Sequence, residues 1–141
     1  MERGDEATVR VDTVAAVDIP GAWVALVAVE LRYRSQDPLA VEMVMRAPGE
    51  EEIAWTFSWE LLARGRLAES GEGDVRIRPA EGVDGVRGVE VALAPSFAVC
   101  VRLPERDVAL LVGALQARRE SDLATVAAAL DAELAVIMAD A

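Results

Sequence analysis

Histidine and lysine are missing from this chain of 141 residues, and all 14 of its basic residues are arginine. Without histidine the chain has no imidazole to act as a general base near neutral pH or to bind zinc. Most hydrolytic triads and zinc sites are thereby excluded, so we expect no enzyme, no metal and no cofactor. The absence of lysine carries no functional weight, since abundant arginine, alanine and valine are typical of a GC-rich genome.

Cysteine is nearly as rare, with Cys100 alone. It lies in an apolar run over residues 97–103, which predicts a buried, reduced thiol and no intrachain disulfide. No run approaches the roughly 18 to 20 apolar residues that span a bilayer. The first six residues mix acidic and basic side chains and lack the apolar core of a secretory signal. We expect a soluble, cytoplasmic protein that does not insert into membranes.

The charge is strongly acidic, with a formal net charge of −11 at pH 7. A field of this sign repels phosphate backbones and anionic lipid surfaces unless a local basic patch outweighs it. Nucleic acid is therefore an unfavourable partner for the molecule as a whole.

Alternation of apolar and polar residues dominates the first hundred positions and predicts about seven mostly antiparallel strands. They are expected near residues 8–17, 27–34, 41–46, 53–57, 75–78, 86–94 and 97–103. The first strand changes phase near Thr13, which suggests a β-bulge. Pro79 is expected to end the fifth strand, and the glycines of residues 69–73 indicate a loop before it.

Helical spacing replaces alternation at two places. Residues 59–65 predict a short helix with Ser58 as N-cap and Gly65 as a left-handed stop. The last third predicts two helices, one from Pro104 to about Arg119 and one from Ser121 almost to the C-terminus. The second carries an apolar stripe, taken as mostly core, of Leu123, Val126, Ala127, Leu130, Leu134, Ile137 and Met138. Strands followed by helices predict an α+β fold, in one domain over residues 1–141.

Two kinds of binding surface can be drawn from the residues alone. Arginines cluster in one part of the chain and, with Trp55, Phe57 or Trp59, could form a basic face with stacking rings for single-stranded nucleic acid; they are Arg64, Arg66, Arg76, Arg78 and Arg87. Interspersed acidic residues offset that charge. The alternative is a protein partner or self-association, because three tryptophans and four methionines supply more apolar surface than a small core needs.

Four stretches, in order and at similar intervals, resemble the SsgA-like family over nearly the whole chain from about Val24. They are residues 31–33 (LRY) with 37–41 (DPLAV), residues 53–57 (IAWTF) with Leu61, Leu62 and Gly65, residues 71–77 (GEGDVRI) up to Pro79, and residues 130–134 (LDAEL). Leu39 departs from the family pattern, which often has tyrosine there. Arg78 also departs, since an aromatic residue is frequent at that position.

The resemblance implies a protein that acts by binding. SsgA-like proteins control sporulation-linked cell division in filamentous actinobacteria, help to place the septum, localise or stimulate the tubulin-like division protein FtsZ, and work with other SsgA-like proteins. Their fold resembles the whirly single-stranded-nucleic-acid-binding proteins, and a homotrimer is known, so a trimer is favoured here. Location at the division septum is implied as well. The candidate partner surface is Asp37, Pro38, Trp55, Phe57, Leu61 and Leu62, for each of which a core or turn role is the alternative.

Overall fold

A computed structural model describes residues 8–18, 24–46, 51–81, 85–93 and 99–140. Within these residues, eight strands and two helices follow one another. They are β1 (Thr8–Asp18), β2 (Val24–Arg34), β3 (Ala40–Arg46), β4 (Ile53–Ser58), α1 (Trp59–Gly65), β5 (Ser70–Glu72), β6 (Val75–Glu81), β7 (Arg87–Leu93), β8 (Val99–Pro104) and α2 (Glu105–Ala139). The predicted α+β class is confirmed.

The strands form one antiparallel sheet in the order β4-β3-β2-β1-β8-β7-β6-β5. Two meanders, β1 to β4 and β5 to β8, meet where β1 pairs with β8, as in the register of Val17 with Val101. The β1–β2 register runs without interruption from Thr8 opposite Arg34 to Asp18 opposite Val24, so no bulge lies near Thr13. The change of phase in β1 arises because the polar residue Thr13 is buried, whereas the apolar Val14 on the opposite face is 55% exposed.

The core lies on one face of the sheet, under α1 and the first half of α2. Alternate residues of every long strand point into it, which is why period-two alternation located these strands. From the helices, the core takes apolar side chains at helical spacing, namely Trp59, Leu61 and Leu62 from α1 and Val108, Leu111, Val112 and Leu115 from α2.

The structure adds an eighth strand to the predicted seven. Residues 70–72, expected as loop, form β5 and pair with the first residues of β6. Pro79 does not end its strand, since β6 continues to Glu81 and Pro79 pairs with Val89. Beyond Ile77 no described residue pairs with β6 on its other side. A residue without an amide hydrogen is tolerated at such a free edge.

The two predicted C-terminal helices are one continuous helix of 35 residues, α2. The sequence around Ser121 contains no glycine or proline to break it, and Asp122 is a buried residue inside the helix, not part of a cap. Pro104 precedes the helix as its N-cap residue, with extended backbone. The prediction that the apolar stripe near the C-terminus is mostly core is wrong for the isolated chain. Residues 127–140 are all exposed.

Candidate functional site

The six predicted partner residues divide into a buried and an accessible group. Pro38, Phe57, Leu61 and Leu62 are buried. Asp37 is exposed, and Trp55 is half-buried against the edge of the core. Only Asp37 and part of Trp55 are therefore accessible to a partner on the folded chain.

Trp59, at the start of α1, holds the turn that contains Pro38 and leads into β3. The indole Nε1 of Trp59 donates a hydrogen bond to the carbonyl of Pro38 at 2.8 Å, and its backbone N–H donates to the carbonyl of Leu39 at 3.1 Å. The second bond satisfies an N–H at the start of α1, where Ser58 occupies the N-cap position without a side-chain cap bond. The DPLAV and IAWTF stretches, distant in sequence, thus meet in one structural unit.

Beside this turn lies an open polar hollow of about 400 Å³, lined by residues that include Asp37, Arg32 and Glu42. Arg32 is already engaged there, since its Nη1 lies 3.2 Å from Glu42 Oε1. The charges of Arg32 and Glu42 in this hollow therefore largely neutralise each other, which leaves little net charge to attract a partner.

Two of the five arginines that suggested a nucleic-acid surface are paired with acidic side chains. Arg66 pairs with Glu105 at 2.9 Å and Arg78 with Glu90 at 2.8 Å, and Arg76 also has a partner. Of the aromatic rings proposed for base stacking, Phe57 and Trp59 are buried. The sheet-and-helix scaffold does not assemble these residues into a basic face with free rings.

An acidic residue that the sequence did not single out holds the outer face of the sheet together. Glu30 of β2 has a side chain only 1% exposed, and its carboxylate contacts Arg32, Arg10 at 2.6 Å and Arg46 at 3.8 Å. The hydrogen bond from Arg32 is the largest cause of a lowered pKa for Glu30, and it outweighs the burial that would raise that pKa. The network is a structural feature, not a reactive centre.

A second buried acid, Asp122, fixes the middle of α2 to the sheet. The Tyr33 hydroxyl donates to Asp122 Oδ2 at 2.5 Å, and Arg118 Nε donates to the same oxygen at 2.7 Å. Burial would raise the pKa of Asp122, but these two donors hold it below the ordinary value. Burial, followed by the bond to Asp122, raises the pKa of Tyr33.

Beyond Asp122 the helix leaves the sheet and presents an apolar stripe. Only Leu123 and Val126 remain half-buried after that point. Leu134 is 55% exposed and Met138 is 74% exposed, and Leu130 and Ile137 are similarly open. The helical spacing of the sequence predicts that this face is apolar, but only the structure shows that no described part of the chain covers it.

Groups that would suggest chemistry are scarce in the described part of the chain. No three cysteine or acidic side chains there could hold a metal ion. The half-buried thiol of Cys100 has a raised pKa because of burial, which opposes formation of a reactive thiolate. None of the helices described combines the length and apolar character required to cross a membrane.

Comparison with known proteins identifies the family. The model of the family "Streptomyces sporulation and cell division protein, SsgA" matches residues 27–129. The chain is similar to the sporulation-specific cell division protein SsgB of Frankia casuarinae, with 32% identity over 93% of this chain and 95% of that protein. The protein of the same name from Saccharopolyspora erythraea is 41% identical, over 55% of each chain. That second match therefore spans about half the length of both proteins.

The fold is shared with a solved relative. The crystal structure of an SsgA-like sporulation-specific cell division protein from Thermobifida fusca superposes with a TM-score of 0.70 and 28% identity, over 95% of this chain and 98% of the other. The sheet order and helices described above are thus a fold found in sporulation-specific cell division proteins. This chain belongs to the SsgA family of sporulation and cell division proteins.

Proposed function

We propose that this protein regulates sporulation-linked cell division through protein–protein contacts, as a cytoplasmic adaptor at the division septum. In this role it helps to place the septum by recruiting or stimulating FtsZ, together with other SsgA-like proteins. Family membership supports the division role. The observation that supports the binding mechanism is the part of the α2 apolar stripe from Ala127 onward, which is exposed. A folded chain exposes such a surface at a cost in solubility unless a protein covers it.

Part of that stripe has the spacing of an oligomer seam. Leu123, Ala127, Leu130, Leu134 and Ile137 follow one another at alternating intervals of four and three residues, as in the a and d positions of a coiled coil. At 1.5 Å per residue, the segment from Leu123 to Ala139 is about 25 Å long, enough to pack along a neighbouring copy. We therefore place self-association, with a trimer favoured, on this seam.

Light scattering tests the seam. The native protein is expected at about three times the 15.1 kDa mass of one chain at micromolar concentration. A double variant, Leu130→Glu with Leu134→Glu, places charges in the seam and is expected to be a monomer. Ala128→Glu adds a charge to the exposed surface outside the seam and should keep the native mass. A native mass of one chain would refute self-association.

Co-sedimentation with FtsZ polymers tests the division mechanism. The purified protein is expected to pellet with polymerised FtsZ, or to change the amount or rate of polymer assembly. The assay is run with and without a second SsgA-like protein, because the family resemblance implies joint action. Absence of both binding and any effect on assembly under both conditions would exclude direct action on FtsZ.

A further inference from the structure

A second surface, on the other side of the fold from the core, combines apolar side chains with arginine. Val14 of β1, Leu26 of β2 and Val86 form an exposed apolar floor, and Leu26 is 62% exposed. Arg87, Arg102 and Arg106 lie around it. Together these residues enclose a groove of about 260 Å³, here called the arginine groove.

The groove has room for a large side chain. An apolar cavity of about 150 Å³ holds a benzene ring, so this volume accommodates a leucine or phenylalanine side chain with space for part of its neighbour. The apolar floor would remove such a side chain from water, which favours binding.

Its charge is opposite to that of the whole molecule. Three of the 14 arginines line the groove, whereas none of the 25 acidic residues is among its described lining residues. In a protein of net charge −11, such a local positive rim selects for negatively charged partners.

The three arginines of the groove retain hydrogen-bonding capacity that the described chain does not use. Arg87 is exposed and forms no ion pair with any described residue. The side chain of Arg106 is 86% exposed, and its nearest carboxylate, Asp107 at 4.0 Å, already accepts a hydrogen bond from Thr13 at 2.6 Å. Arg102 pairs with Asp18 at 3.2 Å, but its Nε is buried without a hydrogen-bond partner in the described chain.

We propose that the arginine groove binds an acidic segment of a partner protein that carries a bulky apolar side chain between its carboxylates. The apolar side chain occupies the floor, and the flanking carboxylates accept hydrogen bonds from Arg87 and Arg106. Arginine suits this task because its planar fork of N–H donors matches a carboxylate. This inference rests on the proposed function only in that the protein acts by binding other proteins, and the site is separate from the seam of α2.

Fluorescence anisotropy with a short labelled peptide tests the groove. The probe contains adjacent leucine and phenylalanine residues flanked on both sides by aspartate and glutamate. One control peptide replaces the two apolar residues with alanine, and another replaces the acids with their neutral amides. The native protein is expected to bind the probe in a salt-sensitive manner and to bind both control peptides at least about tenfold more weakly.

Two variants locate the binding. Arg87→Glu with Arg106→Glu reverses the exposed rim and is expected to weaken binding of the probe about tenfold or more. Arg64→Glu reverses an exposed arginine on α1, away from the groove, and should leave binding unchanged. Circular dichroism of each variant checks that the fold is intact, and unchanged binding by an intact double variant would overturn the proposal.

The alanine peptide, the oligomer mass and the FtsZ assay provide further tests of the groove. Equal affinity for the probe and the alanine peptide would show charge attraction alone and contradict a binding groove. A change of oligomer mass in the double variant would assign the groove to a second copy of this chain, and would likewise overturn the proposal. If the native protein does not bind the probe but co-sediments normally with FtsZ, only the groove is refuted. If it binds the probe but neither binds FtsZ nor affects its assembly, only the FtsZ mechanism is refuted.

Discussion

Gly65, the last residue of α1, is where that helix approaches the sheet most closely. A Cβ added at Gly65 would lie 2.3 Å from Cγ2 of Ile77 and 3.2 Å from the backbone carbon of the same residue. The sequence suggested a left-handed stop, but positive φ among the described glycines is confined to Gly73 and Gly85. The glycine is needed here for close packing, not for its backbone conformation.

We therefore expect Gly65→Ala to destabilise the protein by about 1 to 3 kcal/mol, because the overlap with β6 forces the core to shift. The matched control is Gly113→Ala in α2, whose added Cβ would meet no atom within 4 Å. That change should stabilise the protein by about 0.5 to 1 kcal/mol through helix propensity. Urea denaturation measures both, and equal effects of the two substitutions would contradict the packing explanation.

Glu30 gives the stability of the sheet a dependence on pH. Its pKa is lowered in the folded state, so its ionised form stabilises the fold at pH values above the ordinary glutamate pKa of about 4.3. That contribution is lost as the pH falls through the lowered pKa. The three arginines around the carboxylate would then face one another without it.

Glu30→Gln is expected to cost about 2 kcal/mol at neutral pH, in the range for hydrogen bonds to charged groups. The difference between native and variant should shrink as the pH falls below the ordinary glutamate pKa, and it should vanish below the lowered pKa, where the native carboxylate is protonated as well. Free energies of unfolding from urea curves at several pH values measure this. Glu51→Gln, at an exposed residue just before β4, is the control and should be neutral throughout. A gap that stays constant down to acid pH would contradict the role assigned to Glu30.

At the scale of elements, the strands were predictable and the helices only partly so. β2 and β4 were located because their polar and apolar residues alternate regularly on a half-buried sheet. β5 was missed because its three residues, Ser70–Glu72, are polar and glycine-rich and form a strand only by pairing with β6. Local sequence does not specify such a pairing.

The continuity of α2 was missed because Ser121 and Asp122 have the side chains of a helix start. Whether an aspartate caps a helix or lies inside one depends on its tertiary partner, here Tyr33 of β2, which is 89 residues away. The candidate partner surface could not be predicted for the same reason, because burial of its residues depends on tertiary contacts. Leu61 and Leu62 are apolar in either role, and burial under the sheet becomes visible only in three dimensions.

The bond between Tyr33 and Asp122 is the last described hydrogen bond between α2 and the sheet before the seam. Tyr33→Phe removes the donated hydrogen bond and leaves Asp122 buried with Arg118 alone. We expect a loss of about 1 to 2 kcal/mol in stability, together with faster amide hydrogen exchange in the third of α2 around Asp122. Thr125→Ala, one turn later, removes only an exposed bond to the carbonyl of Ser121 and should change neither quantity appreciably. Unchanged exchange around Asp122 in Tyr33→Phe would contradict the attachment.

For the molecule as a whole, the expected fold favours binding of single-stranded nucleic acid, whereas the net charge opposes it. The expectation of a whirly-like fold suggests single-stranded nucleic acid, and β-sheet faces with arginine and aromatic residues serve that purpose elsewhere. Here the net charge is −11, Arg66 and Arg78 are paired with acids, and the rings of Phe57 and Trp59 are buried. A nucleic acid would therefore be repelled by the net negative charge. It would also find few of the free arginines and exposed rings that usually provide affinity for a single strand.

We accordingly expect no binding of a labelled single-stranded oligonucleotide at low ionic strength, measured by fluorescence anisotropy. Low salt is the stringent condition, because it favours every contact between arginine and phosphate. An established single-stranded-DNA-binding protein serves as the positive control for the probe. Binding by the native chain that weakens steeply as salt is added would reverse this conclusion, and the same measurement on Arg87→Glu with Arg106→Glu would then show whether the arginine groove had accepted phosphate in place of carboxylate.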